Sequence, residues 1–186
     1  MSPILGIYAS QISGHLTPPS SFYNIATVTA SGSQSSVTFS SIPSTYKSLQ
    51  LRILSNDGSG YQNNFVFNSD TGTNYTYHRM LGNGSTVTAV GATGQTSAKA
   101  ASYNSPDLYN QIYAFSIVDI IDYANTSKYK TIKSQSGFDA NGASGPSFVL
   151  TSNLWLNTAA ITSITITNVG STNWTSSSTF TLYGIS

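Results

Sequence analysis

The chain has 186 residues, a net charge of +1 and no cysteine, which is enough for one sizeable domain with a real core. Charged residues make up only 7% and glutamate is absent, whereas ordinary soluble domains carry about 25%. This balance excludes disulfide staples, thiolate chemistry and electrostatic steering towards nucleic acid or an anionic membrane. Twelve tyrosines and eight phenylalanines argue against disorder, whose signature is few aromatics with high net charge. Serine and threonine abound and must cover much of the surface in place of ions. Neutral groups lose less on desolvation than ions do, so such a surface suits a protein packed against neighbours.

Residues 1–21 read as an arm and 22–186 as one domain. Ile4, Leu5, Ile7 and Tyr8 form an apolar cluster, and Pro18-Pro19 stiffens the chain that follows. Leu5, Tyr8, Ile12 and Leu16 also have the spacing of a short amphipathic helix, which Gly6 and Gly14 weaken. The arm is either a tether on its own domain or an anchor inserted into a neighbour. The first basic residue is Lys47, unlike a signal peptide. No apolar run approaches the about 20 residues of a membrane helix.

From Phe22 onward the pattern has period two. Val37 and Phe39 share a face, as do Leu49, Leu51 and Ile53 opposite Gln50 and Arg52. Phe65 pairs with Phe67, Ile164 with Ile166 and Phe180 with Leu182. "QIYAFSIVDII" is apolar on both faces over 112–118, which marks a central strand covered on both sides. "SNDGSG", "SDTGTN", "GNGS", "GFDANGASGP" and "NVGSTN" punctuate these runs as turns. The expected fold is all-β: an antiparallel β-sandwich of eight to ten strands, of jelly-roll type.

In "DIIDYANTSKYKT", Asp119 and Asp122 stand three apart, so in a strand they face opposite ways and make no acid–base pair. The stretch reads as a corner, with Asp122 capping the turn or pairing with a lysine, and Lys128 and Lys130 both in water. Asp70-Thr71-Gly72 matches the tripeptide of aspartic proteases, but polar neighbours make it a hairpin turn. His15 and His78 are the only histidines, too few for a metal cluster, and no G-x-S-x-G elbow is present. Gly82-Asn83-Gly84 precedes a strand rather than a helix, so it cradles no phosphate. Sequons at Asn74, Asn83, Asn125 and Asn173 occur as often as chance predicts. No catalytic residue, metal or cofactor follows from these motifs.

"NYTYHRM" places Tyr75, Tyr77 and Arg79 on one strand face. Tyrosine and arginine are enriched at interfaces, and the same trio could stack on sugar rings or simply form a covered sheet face. Trp155, between two leucines, reads as core. Trp174, in "STNWTSSS", reads as an exposed loop residue and a second candidate for contact.

With those residues in hand, a resemblance emerges. "SIPSTYKSLQLRI", "FNSDTGTNYTYHRMLGNGS", "DIIDYANTSKYKT" and "SNLWLNTAAITSITI", with "TFTLYGI", resemble small β-rich virion structural proteins of tailed phages, including cyanophages and marine phages. The arm, "SPILGIYASQISG", is similar to N-termini of that family. The resemblance implies a virion location and no enzymatic role. The partners it implies are major capsid or tail proteins and copies of the chain itself, expected as a trimer. The expected role is a capsid decoration or cement protein docked on the shell through Ile4, Leu5, Ile7 and Tyr8. The alternative is a tail fibre or tail tip that recognises host glycans through Tyr75, Tyr77, Arg79 or Trp174.

Overall fold

The computed structural model describes residues 21–60, 62–103, 111–139 and 147–186. The arm residues Ile4, Leu5, Ile7 and Tyr8, and His15, lie outside the described residues. The described chain is all-β, as the period-two pattern predicts. Twelve strands run in order: β1 Phe22–Thr29, β2 Ser36–Phe39, β3 Ser48–Ser55, β4 Gln62–Phe67, β5 Tyr75–Gly82, β6 Val87–Gln95, β7 Ala98–Tyr103, β8 Ala114–Ile121, β9 Lys130–Phe138, β10 Ser147–Trp155, β11 Ile164–Asn168 and β12 Thr179–Ile185.

They form two antiparallel sheets packed as a sandwich. The eight-stranded sheet has the order β1-β12-β3-β8-β9-β10-β5-β6, and the four-stranded sheet β2-β11-β4-β7. With β5, β6, β9 and β10 set aside, the other eight strands pair first with last: β1 with β12, β2 with β11, β3 with β8 and β4 with β7. A single long hairpin wound into two sheets gives this pairing. The β9–β10 and β5–β6 pairs then extend the larger sheet beyond β8.

The inner face carries the core. Leu49, Leu51, Ile53, Val118, Ile120, Ile132, Phe180 and Leu182 meet Val37, Phe39, Phe65, Phe67, Ile164 and Ile166 from the smaller sheet. The apolar halves of the alternating runs all point here, because burying them yields about 25 cal/mol per Å2 of apolar surface. Among the described residues no strand pairs with the edge of β7 away from β4. The Asn153 side chain covers part of it, accepting from Lys99 N at 2.8 Å and donating to Lys99 O at 2.9 Å. A side-chain amide thus takes the place of a neighbouring strand at the seam between the sheets.

Burial decides three of the sequence readings. Trp174 is not exposed: it is fully buried, its ring centroid 4.5 Å from that of Phe180, and its indole N–H donates to Asn63 Oδ1 at 3.1 Å. An isolated bridge to Gln34 fixes the loop that delivers it. Tyr75 is also fully buried and stacks on Trp155 at 6.3 Å and 17°. Finally, β8 is central, but among the described residues it is covered on one side only, since Phe115 is 41% and Ile121 54% exposed.

Trp174→Ala should cost about 3–5 kcal/mol, because a large buried ring leaves a cavity that the strands around it cannot close. Urea titration of wild type and variant checks this. A loss under 1 kcal/mol would mean that the tryptophan lies at the surface.

Candidate functional site

Side chains of directly opposed strand residues share a face, so the register maps the outer face of the eight-stranded sheet. Across its middle runs a polar row: Tyr183, Gln50, Asp119, Lys133, Ser152 and His78, each opposite the next. Its members are joined at one end. The Arg52 guanidinium lies over both the Phe22 ring, at 5.1 Å, and the Tyr183 ring, at 4.9 Å. Arg52 Nε donates to Gln50 Oε1 at 2.8 Å, and Gln50 Nε2 donates to Asp119 Oδ1 at 2.8 Å. A neutral amide therefore links a cation to a carboxylate.

On one side of it the outermost row is apolar, while the row between, Arg52, Ile117, Gln135, Leu150 and Met80, is mixed. Leu54, Phe115, Phe148 and Val87 line one rim, with Gly137 between the two phenylalanines and Gly82 beyond Phe148. Leu150 and Met80 sit opposite each other in the next row, and Ile121 lies across the polar row. All of these side chains are exposed, from 38% for Leu150 to 69% for Val87. Such residues scattered singly need no explanation, but rows of them on one sheet face do.

Three cavities open on this face. A cavity of 760 Å3 lies among His78, Met80, Gly91, Ile121, Lys133 and Leu150. One of 560 Å3 lies between Phe115 and Phe148 over Gly137 and Gly82. The third, of 280 Å3, lies beside Arg52, Leu54 and Ile117. Gly91 shapes the first, because a Cβ there would stand 2.6 Å from His78 Cδ2. The absence of a side chain lets the imidazole lie against β6.

Chemically the face offers stacking, apolar burial and a few neutral hydrogen bonds. Ser152 is opposite His78, the closest arrangement to a nucleophile–base pair. Asp119 stands three strands from His78, about 14 Å at about 4.8 Å per strand, which is beyond reach for orienting the imidazole. No group of three His or Asp residues gathers as metal ligands among the described residues. None of those residues forms a helix long and apolar enough to cross a membrane.

The residues singled out from sequence separate. Tyr75, Tyr77 and Arg79 do share a face, but it is the inner one, opposite Trp155, Asn153 and Thr151. The Tyr75 hydroxyl donates to Asp70 O at 2.9 Å and accepts from Phe67 N at 3.1 Å. Burial pushes its pKa up to about 12. Tyr75 and Trp174 are therefore unavailable to a glycan, while Tyr77 and Arg79 remain half-buried. The residues that do occupy the outer face, Phe115, Phe148, Leu150 and Met80, were hidden in sequence because they alternate with core residues.

The corner reading of residues 119–131 holds for Asp122, which adopts φ 53° and pairs with Lys128 at 2.8 Å. It fails for Lys130, which is fully buried rather than in water. Lys130 Nζ donates to the carbonyls of Asn125, Lys128 and Thr158 at 2.5, 2.8 and 3.0 Å. Burial lowers its pKa against the opposing pull of Asp122. Asp70 lies at a turn, but the turn joins β4 to β5 in different sheets and is not a hairpin. Its carboxylate accepts from Gly72 N at 3.0 Å, Asn74 Nδ2 at 2.9 Å and Trp155 Nε1 at 2.7 Å.

No family model, curated protein or solved structure matches the chain.

Partial burial raises the Asp70 pKa, but hydrogen bonds from Asn74, Trp155 and Gly72 outweigh it and leave the carboxyl below its ordinary 3.8. A depressed folded-state pKa stabilises above the unfolded value and is lost as pH falls through the folded one. Asp70→Ala should cost about 1.5–3 kcal/mol at pH 7, the range for hydrogen bonds to a charged group. The gap from wild type should narrow below about pH 4. Denaturant titrations at pH 7 and pH 3 test it; an equal gap at both would refute a charge-assisted corner.

Proposed function

We propose that this protein is a structural component of a phage virion, a jelly-roll domain that assembles with copies of itself through the outer face of its eight-stranded sheet. The observation that carries this reading is the set of exposed apolar rows on that face: Leu54, Phe115, Phe148 and Val87 with Leu150, Met80 and Ile121. Eight strands at about 4.8 Å spacing, each about 26 Å long, span roughly 880 Å2. A stable interface takes about 800 Å2 per partner, so the face is large enough for one. A second copy fits its chemistry. The charges on it are Arg52, Asp119 and Lys133, with Asp139 beside the 560 Å3 cavity; the first two are already linked through Gln50, and the net charge of +1 sets up little self-repulsion.

Jelly rolls recur in viral capsid and lectin domains, and the first-with-last pairing of eight strands supports that topology here. That link is an analogy of fold, in agreement with the resemblance to phage virion proteins. In the decoration role the sandwich forms a trimer on the capsid exterior, and residues 1–21 reach the shell through Ile4, Leu5, Ile7 and Tyr8.

A second reading has one observation in its favour. Phe115 and Phe148 flank the glycine floor of the 560 Å3 cavity, a slot suited to stacking a sugar ring. It supports a receptor-binding tail protein that uses those two rings rather than Tyr75 or Trp174.

Sedimentation equilibrium of the full chain should give a trimer. Phe148→Asp with Leu150→Asp should give folded monomers with unchanged far-UV circular dichroism, since neither side chain belongs to the core. A wild type that is monomeric at 100 μM would overturn the assembly reading. Saturable binding of a surface glycan, abolished by Phe115→Ala, would favour the tail reading. Counting copies per particle separates hundreds on a shell from a handful on a tail.

A further inference from the structure

The chain has two arginines, and they are treated differently. Arg52 lies over two rings and donates to Gln50. Arg79, on the inner side of β5, has a buried Nε with no partner. Opposite it on β10 is Thr151, 3% exposed, whose Oγ1 is also without a partner. Lys99 completes the group. Its backbone is clamped by Asn153, two residues along β10 from Thr151 and on the same face. The third buried side-chain atom without a partner among the described residues, Asn64 Oδ1, belongs to the residue opposite Lys99. All three orphaned polar atoms thus belong to Arg79 or to direct register partners of Arg79 and Lys99.

Buried polar groups in native proteins are almost always paired, and each exception asks for a missing partner. Here the donors are a guanidinium, an ammonium and a hydroxyl, with no carboxylate described against them. We infer that Arg79, Lys99 and Thr151 form a binding site for a small oxyanion, a phosphate, sulfate or carboxylate group. A guanidinium presents a planar fork that matches two oxygens of such a group, the ammonium supplies a second charge, and the threonine hydroxyl donates to a further oxygen. Burial lowers the Lys99 pKa and the nearby Arg79 charge adds to that shift. An anion between the two would offset both effects. Access comes from the β6 side, where Val90, opposite Arg79, is 47% exposed. The Arg79 and Thr151 side chains point away from the outer face, because Arg79 alternates with His78 and Met80 along β5 and Thr151 with Leu150 and Ser152 along β10, although both residues also border the 760 Å3 cavity.

The test follows the Arg79 Nε–H resonance of the full chain in 15N NMR while sodium phosphate, sodium sulfate or sodium acetate is added at constant ionic strength with chloride. The expected result is a saturable shift at millimolar anion, at least ten-fold weaker in Lys99→Met. Thermal melts provide a second readout. Sulfate and phosphate stabilise most proteins by exclusion from the surface, and that general effect should be equal in wild type, Lys99→Met and Arg79→Met. Site binding adds a saturating increment to wild type alone. Response to phosphate and sulfate without acetate identifies a tetrahedral group, and response to all three a carboxylate-tolerant site. No shift at 50 mM of any anion, or the same shift in wild type and Lys99→Met, would overturn the assignment.

Discussion

An eight-stranded sheet has two faces, and the four-stranded sheet covers one. That imbalance governs the rest of the molecule. The inner face takes Leu49, Leu51, Ile53, Val118, Ile120, Ile132, Phe180 and Leu182 into the core. The outer face is left to water, yet carries Leu54, Phe115, Ile121, Phe148, Leu150 and Met80 at 38–54% exposure. Burial on the inside drives folding. The apolar area outside is the same kind of free energy left unrealised in a single chain. A polar row from Tyr183 to His78 divides it and pins which strand lies beside which, because a slip of one residue would exchange the two faces.

With few charges in the chain, the corners are fixed by hydrogen bonds in which amides, hydroxyls and backbone groups satisfy one another or a single ion. Asn68 accepts from the backbone of Thr162 and Ser163 and donates to Ala160 O. Asn168 and Thr172 donate to the Asp57 carboxylate, whose other oxygen accepts from Ser59 and Gly60. Asp70 ties the β4–β5 turn to the Trp155 indole. Lys130 is satisfied by carbonyls alone. Among the described residues the one ion pair is Asp122–Lys128, with both side chains half exposed or more, and such a pair contributes about 0–1 kcal/mol. Salt therefore has little to screen in this fold.

The strands and their core halves were legible because alternation is a local signal: Val37 and Phe39, Leu49 to Ile53, Phe65 and Phe67, Ile164 and Ile166, Phe180 and Leu182 all point inward. What sequence could not supply depends on non-local partners. Trp174 sits among serines and threonines, yet Asn63 and Phe180, both far away in sequence, bury it. Tyr75 reads in sequence as an interface or sugar contact or as part of a covered face, and only the fold decides: its hydroxyl is satisfied within its own turn and its ring stacks on Trp155. Lys130 looked solvated because the carbonyls that hold it come from a loop and from Thr158. The two-sided apolar run of β8 signalled cover on both faces. The described residues supply one cover, and the exposed Phe115 and Ile121 mark the other face. That failed expectation is the most informative one, since a local pattern written for a buried strand sits on an open face.

Alternation along β5 also separates the two surfaces proposed here by the physics they obey. By alternation of side chains, His78 and Met80 point to the outer face and Tyr77 and Arg79 to the inner flank. Association through the outer face would draw on apolar burial, with a negative heat-capacity change and weak dependence on salt. Oxyanion binding by Arg79 and Lys99 would draw on charge, and added salt would weaken it by screening. A single strand can carry both because neighbouring residues point into different environments. Salt therefore bears more on the flank that holds Arg79 and Lys99, since Arg52 and Asp119 on the outer face are already linked through Gln50.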